Sequence, residues 1–202
     1  MLNANAVFTH SIAEARQHTT LYDFLTGQVR VPSPFEDLLR AHVVVSVAAF
    51  DKLMHDIIRI GVCQAFAGTR AVTPKYLSES ISIELHSALV SATIPPKEVL
   101  FEQAIVNKLR HLSFQHPDKV SDGLSLIWDE KQKWNKIAAV MGSTGSFVST
   151  KMKLIVGRRN AIVHESDMDP LTNSKTLIDR AECNDVTDFV ESCGSAIVNL
   201  VN

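Results

Sequence analysis

Cysteine is scarce. Cys63, Cys183 and Cys193 are an odd, scattered set with no C-x-x-C pair among them. That argues against both a disulfide framework and a zinc site, and fits a reduced, cytoplasmic protein. Long apolar runs are missing too. The longest, Val43 to Phe50, is interrupted by Ser46, far short of the ~20 residues that cross a bilayer. The opening MLNANAVFTHSIAEA has no basic start and no extended apolar stretch, so no signal peptide is expected. Charge of one sign is also lacking. A formal net charge of −2 gives no global nucleic-acid signature, so any nucleic-acid contact must come from a local basic patch. There is no Gly-Lys-Ser/Thr phosphate loop, no G-x-S-x-G elbow and no alternating strand pattern with a hairpin signal.

What is present suits one helical domain. The 202 residues are 46% apolar and 21% charged, enough for a core and a hydrated surface. Phe35, Leu38, Leu39, Val43, Ser46, Phe50, Leu53, Met54, Ile57, Ile58 and Gly61 recur at three-and-four spacing, which predicts one long helix. Ser33, Pro34 and Glu36 form its expected capping box. Val186, Phe189, Val190, Cys193, Ile197, Leu200 and Val201 predict a second, with Asn184 as its cap. Further helices are expected at about 8–26, 79–91, 97–115, 121–141 and 145–165, with residues 62–80 the least regular. The expected architecture is an all-α helical bundle over residues 1–202. It carries a less regular inserted segment and an amino-terminal extension of about 1–30.

One stretch carries chemistry: Gly157-Arg158-Arg159-Asn160-Ala161-Ile162-Val163-His164-Glu165. Arginine is a permanent planar cation matched to phosphate oxygens. Histidine ordinarily titrates near neutrality, where general acid–base catalysis works best. On a helix, Val148, Met152, Ile155, Val156, Arg159, Ile162 and Val163 share a stripe, so Arg159 stands where a bundle would place an apolar residue. Such a charge must be paired or line a wet cleft. Asn160 and His164 are four apart and neighbours, whereas Arg159 and His164 are about 140° apart around the axis. Either the helix loosens near His164 or the site is shared with another surface, and the shared surface is favoured. The plainer reading needs no site: both arginines complement a helix end, and Glu165, Asp167 and Asp169 solvate a turn.

The fragment LIVGRRNAIVHESDMDP, with Trp134-Asn135-Lys136-Ile137-Ala138 and the helix holding Ala49-Phe50-Asp51, resembles the HEPN superfamily over about residues 30–201. It is most similar to the RiboL-PSP-HEPN group. The resemblance implies a helical bundle that homodimerises so that two motifs face one cleft. Many members are endoribonucleases in toxin, stress, antiviral or RNA-processing settings, while others only bind RNA or a protein partner such as an antitoxin. It implies RNA rather than DNA as substrate, no cofactor and no metal. By position, His164 would move a proton of the 2′-hydroxyl or leaving group. Arg159 would neutralise the scissile phosphate, and Asn160 would orient one of them. Arg158 stays open as the alternative arginine, although Asn160 directly follows Arg159.

Supporting residues have alternative readings. Asp51, four residues from His55, is a candidate to fix the His164 tautomer, or an ordinary helix pair. Glu165 and Arg158 are further candidates around the pair. Lys151 and Lys153, with Lys131, Lys133 and Lys136, make the approach to the motif the most basic part of the chain and a candidate RNA track. Trp128 and Trp134 are expected in the core. The spacing of His164, Glu165, Asp167 and Asp169 matches neither a zinc nor a calcium loop.

Overall fold

In a computed structural model describing residues 1–28 and 35–202, nine helices hold 73% of the described residues. The described residues contain no strand, only an isolated bridge between Met168 and Lys175. The expected all-α bundle is what forms. The centre is α2 (Glu36–Phe66), with fifteen buried residues from Leu39 to Ala65. A helix buried on more than one face must be surrounded. It is enclosed by α1 (Leu2–Gln28), α5 (Lys97–Leu109), α6 (Pro117–Leu124), α8 (Gly145–His164) and α9 (Arg180–Val201). The short helices α3 (Pro74–Ser78), α4 (Ile83–Ser91) and α7 (Lys133–Val140) complete the order.

The first segment, expected as an extension, is a full member of this bundle. Ala4, Phe8, Ile12 and Ala15 of α1 are buried beside α2 and α9. Phe8 lies so close to Gly194 of α9 that a Cβ there would sit 2.6 Å from the ring. Arg16 Nη2 then spans to Asp188 and Glu191 of α9, both at 2.7 Å. An alternation of small and large residues at a helix crossing sets how closely the backbones approach.

Several boundaries differ from the sequence reading. The expected Ser33 cap and Pro34 start lie outside the described residues, and Phe35 precedes α2 with no side-chain capping bond. Asn184 is inside α9 rather than at its start. The cap is Asp179, whose side chain accepts from the Glu182 N–H at 2.8 Å.

The helix expected over 97–115 stops at Leu109, and the one expected over 121–141 divides into α6 and α7. The connection that follows α5 is held by tertiary contacts. Asp51 Oδ1 accepts the Phe114 N–H at 2.6 Å and Asp51 Oδ2 accepts from Gln115 Nε2 at 3.0 Å. The bond to Phe114 supplies from α2 the partner that this N–H would otherwise find within a helix. A new helix then starts at Pro117, with His116 as its cap. In the segment expected to be irregular, α2 continues to Phe66 and α3 is capped by Thr73, whose hydroxyl accepts from the Tyr76 N–H at 3.0 Å. Trp128 and Trp134 pack half-buried against the core, as expected.

Candidate functional site

The motif occupies the last two turns of α8. Thr144 caps the start of this helix, accepting from the Phe147 N–H at 3.4 Å. Gly142, at φ +65°, makes the reversal from α7, a conformation that favours glycine. The inward stripe forms largely as its spacing predicts. Val148, Met152, Ile155 and Val156 are buried, Arg159 and Ile162 are half-buried, and Val163 is exposed. The helix remains regular through His164, so local loosening does not bring His164 round to Arg159.

Beyond the helix the chain reverses sharply. The Glu165 and Asp167 N–H groups both donate to Ala161 O at 3.0 Å, while Ser166 and Asp167 adopt φ of 54° and 59°. Such left-handed residues cost roughly 1 kcal/mol or more each outside glycine, so something must hold them. Asp167 is the anchor. Its carboxylate accepts from Arg40 Nε of α2 at 2.6 Å and from Arg158 Nη1. Arg40 Nη2 also donates to Thr176 O at 2.8 Å, and Arg158 donates to Glu182 and to Leu177 O. The sequence reading has Asp167 solvating a turn. Instead it is buried and paired on both oxygens, because the turn folds back onto α2.

The adjacent arginines therefore have different surroundings. Arg158 is paired with two carboxylates. Among the described residues Arg159 has no carboxylate partner: its Nη1 donates to Asn160 Oδ1 at 3.0 Å, and its Nε is buried without a partner. Arg159 and Asn160 line a cleft of about 430 Å³ together with His111, Gln115, His116 and Lys119 from the α5–α6 connection and the start of α6. His164 does not line it. That side chain is exposed and has no hydrogen-bond partner among the described residues.

The remaining candidates fall into separate places. Asp51 does not contact His164; its oxygens hold Phe114 and Gln115, with His55 Nε2 at 3.9 Å. It therefore shapes one wall of the Arg159 cleft. Glu165 is exposed at the end of α8. Lys151 pairs with Asp185 at 2.7 Å and lies over the Phe189 ring, whereas Lys153 is exposed. Lys133 is buried and donates to Glu130 O, so the basic run is not one continuous track.

The sequence reading does not single out His111, His116 or Lys119. It runs His111 into a continuous helix and leaves the other two in the link that follows. The His-Pro pair at 116–117 is the signal available there, marking a break and a new helix start. Elsewhere, burial pushes the His42 imidazole down to about 4, with His18 and Arg16 nearby adding to the effect. Burial pushes the Cys183 and Cys193 thiols up to about 12, which disfavours their nucleophilic thiolate form. Among the described residues, no helix is long and apolar enough to cross a membrane.

No curated protein and no solved structure gives a significant match to the chain. The family model described as RiboL-PSP-HEPN matches residues 10–202, taking in most of α1 and all of α2 to α9 with the motif. The chain belongs to the RiboL-PSP-HEPN family.

Proposed function

We propose that this protein is a metal-independent endoribonuclease of HEPN type, active as a homodimer in the cytoplasm. The observation that supports this reading most is the contrast between Arg158 and Arg159. The first is neutralised by Asp167 and Glu182, while the second has no carboxylate partner among the described residues and stands beside a cleft. A half-buried cation without an acidic partner is suited to a phosphate. The reading thus favours Arg159 as the acting arginine.

In the proposed reaction, His164 accepts the proton of a 2′-hydroxyl. The freed oxygen attacks the adjacent phosphorus, a P–O bond forms, and the P–O5′ bond breaks. The leaving oxygen takes a proton from the protonated His164 of the partner subunit, giving a cyclic phosphate and a free 5′-hydroxyl. Arg159 offsets the charge that develops on the phosphate oxygens, and Asn160 holds the guanidinium. The exposure of His164 on a regular helix supports pairing across a two-fold axis, where one copy's motif faces the other's. Toxin, stress-response or antiviral settings follow from the family reading, with an antitoxin or other protein as partner.

The test is cleavage of a mixed single-stranded RNA pool in EDTA by the wild type, His164→Ala and Arg159→Ala, with sedimentation at micromolar concentration. Cleavage lost in both variants and a dimeric wild type support the proposal. Cleavage unaffected by His164→Ala, or a monomer that cleaves, would overturn it. The isolated position of His164 relative to the Arg159 cleft favours a second reading, a non-catalytic dimer that binds RNA or a protein. RNA retention without cleavage would select it.

A further inference from the structure

The α5–α6 connection adds two histidines, and the start of α6 a lysine, to the face already occupied by Arg159. Its course is fixed from below. Asp51 holds the Phe114 N–H and the Gln115 amide, and the His55 ring meets Phe114 edge-on at 4.8 Å. Gly123 lets Phe114 sit close, since a Cβ there would lie 2.6 Å from the Phe114 ring and from Ile58 Cδ1. This wall is therefore packed, rather than a loose surface loop. Its outward side groups are exposed at His111 and Lys119 and half-exposed at His116.

We infer that the cleft between this wall and α8 is an RNA phosphate subsite contained within one protomer, distinct from the proposed two-fold cleft at His164. Arg159 stands at the junction of the two. Lys119 supplies the second cation, and His111, His116 and Asn160 supply hydrogen-bonding groups. Besides Asp51, which is engaged by Phe114 and Gln115, two carboxylates are nearby. Asp122, on the edge of the cleft, is engaged by Lys75, and Asp118 lies 3.5 Å from His116 with its side chain 91% exposed. Neither pairs with Arg159 or Lys119 among the described residues. A volume of about 430 Å³ accommodates a phosphate and part of a nucleotide. An RNA strand crossing the dimer would place the scissile phosphate at Arg159 and a neighbouring phosphate at Lys119.

The inference rests on the ribonuclease reading for its substrate, but its test does not need catalysis. A fluorescein-labelled single-stranded RNA with 2′-O-methyl groups, which cannot be cleaved, is titrated by anisotropy at several salt concentrations. The proteins are the full-length wild type, Lys119→Ala, Lys119→Glu, His116→Gln and, as an exposed control, Lys97→Ala. Lys119→Ala should lower the slope of log Kd against log salt by about 0.7, the loss of one single-strand phosphate contact. Lys119→Glu should weaken binding by about tenfold or more and His116→Gln by a smaller factor, while Lys97→Ala should leave it unchanged. Equal slopes and affinities for Lys119→Ala and the wild type would overturn the subsite while leaving catalysis at His164 untouched. Lys119-dependent binding by a protein that never cleaves RNA would retain the subsite and remove the catalytic reading. Competition by inorganic phosphate without Lys119-dependent RNA binding would identify a free-anion site and overturn the RNA assignment.

Discussion

Arg158 donates to Asp167, whose other carboxylate oxygen takes Arg40 Nε at 2.6 Å. This places one buried anion between a cation of the motif helix and a cation of the central helix. The arrangement fixes the turn after His164 and leaves the neighbouring Arg159 as the motif arginine without a carboxylate among the described residues. On the proposed reading, structural and chemical roles are thus divided between consecutive residues.

Removing the shared anion should therefore damage stability. Asp167→Ala leaves Arg40 with only the more exposed Asp37 and Arg158 with only the more exposed Glu182, and should cost up to about 3–5 kcal/mol. Denaturant unfolding measures this directly. Arg159→Ala, in contrast, should change stability by less than about 1 kcal/mol while abolishing the proposed cleavage. Similar losses of stability in the two variants would contradict the division of roles.

Asp51 should act on the cleft through the α5–α6 connection. Asp51→Ala removes the acceptor of the Phe114 N–H, with an expected loss of about 1–3 kcal/mol. Hydrogen exchange should accelerate at residues 111–116 before it does in α9. Unchanged exchange there would show that Asp51 does not hold this wall.

His42 gives stability a defined pH dependence. It is buried beside Thr187, and its folded value of about 4 lies below its ordinary 6.5. The unfolded chain therefore binds the proton more readily across that interval. The contribution is intact above pH 6.5 and declines as pH falls towards 4, by up to about 3 kcal/mol. Unfolding free energy of the wild type should fall more steeply across this window than that of His42→Gln. Parallel curves would remove His42 as the source.

The crossing of α1 and α9 is testable at Gly194. A Cβ there would meet Phe8 at 2.6 Å and Leu53 at 2.9 Å, so Gly194→Ala should cost about 1–3 kcal/mol through overpacking. That corresponds to roughly 2–12 °C in Tm for a chain of this size. A companion Phe8→Leu change should recover part of the loss; no recovery would place the strain elsewhere.

The long helix and the C-terminal helix are legible in the sequence because three-and-four apolar spacing is a local record of a buried face. The motif and its family are legible for a similar reason, since Arg159, Asn160 and His164 lie within two turns. The stripe around Val148, Met152, Ile155 and Val156 also shows that Arg159 stands at an inward position. Which arginine is neutralised is not legible. The answer depends on Arg40 and Glu182, distant residues that only folding brings to Arg158 and its turn. The course of the chain after α5 is hidden for the same reason: Asp51 takes over the backbone of Phe114 from another helix. Local periodicity determined the helices and the motif. Long-range pairing of charges and orphan backbone groups decided which side chains face the cleft.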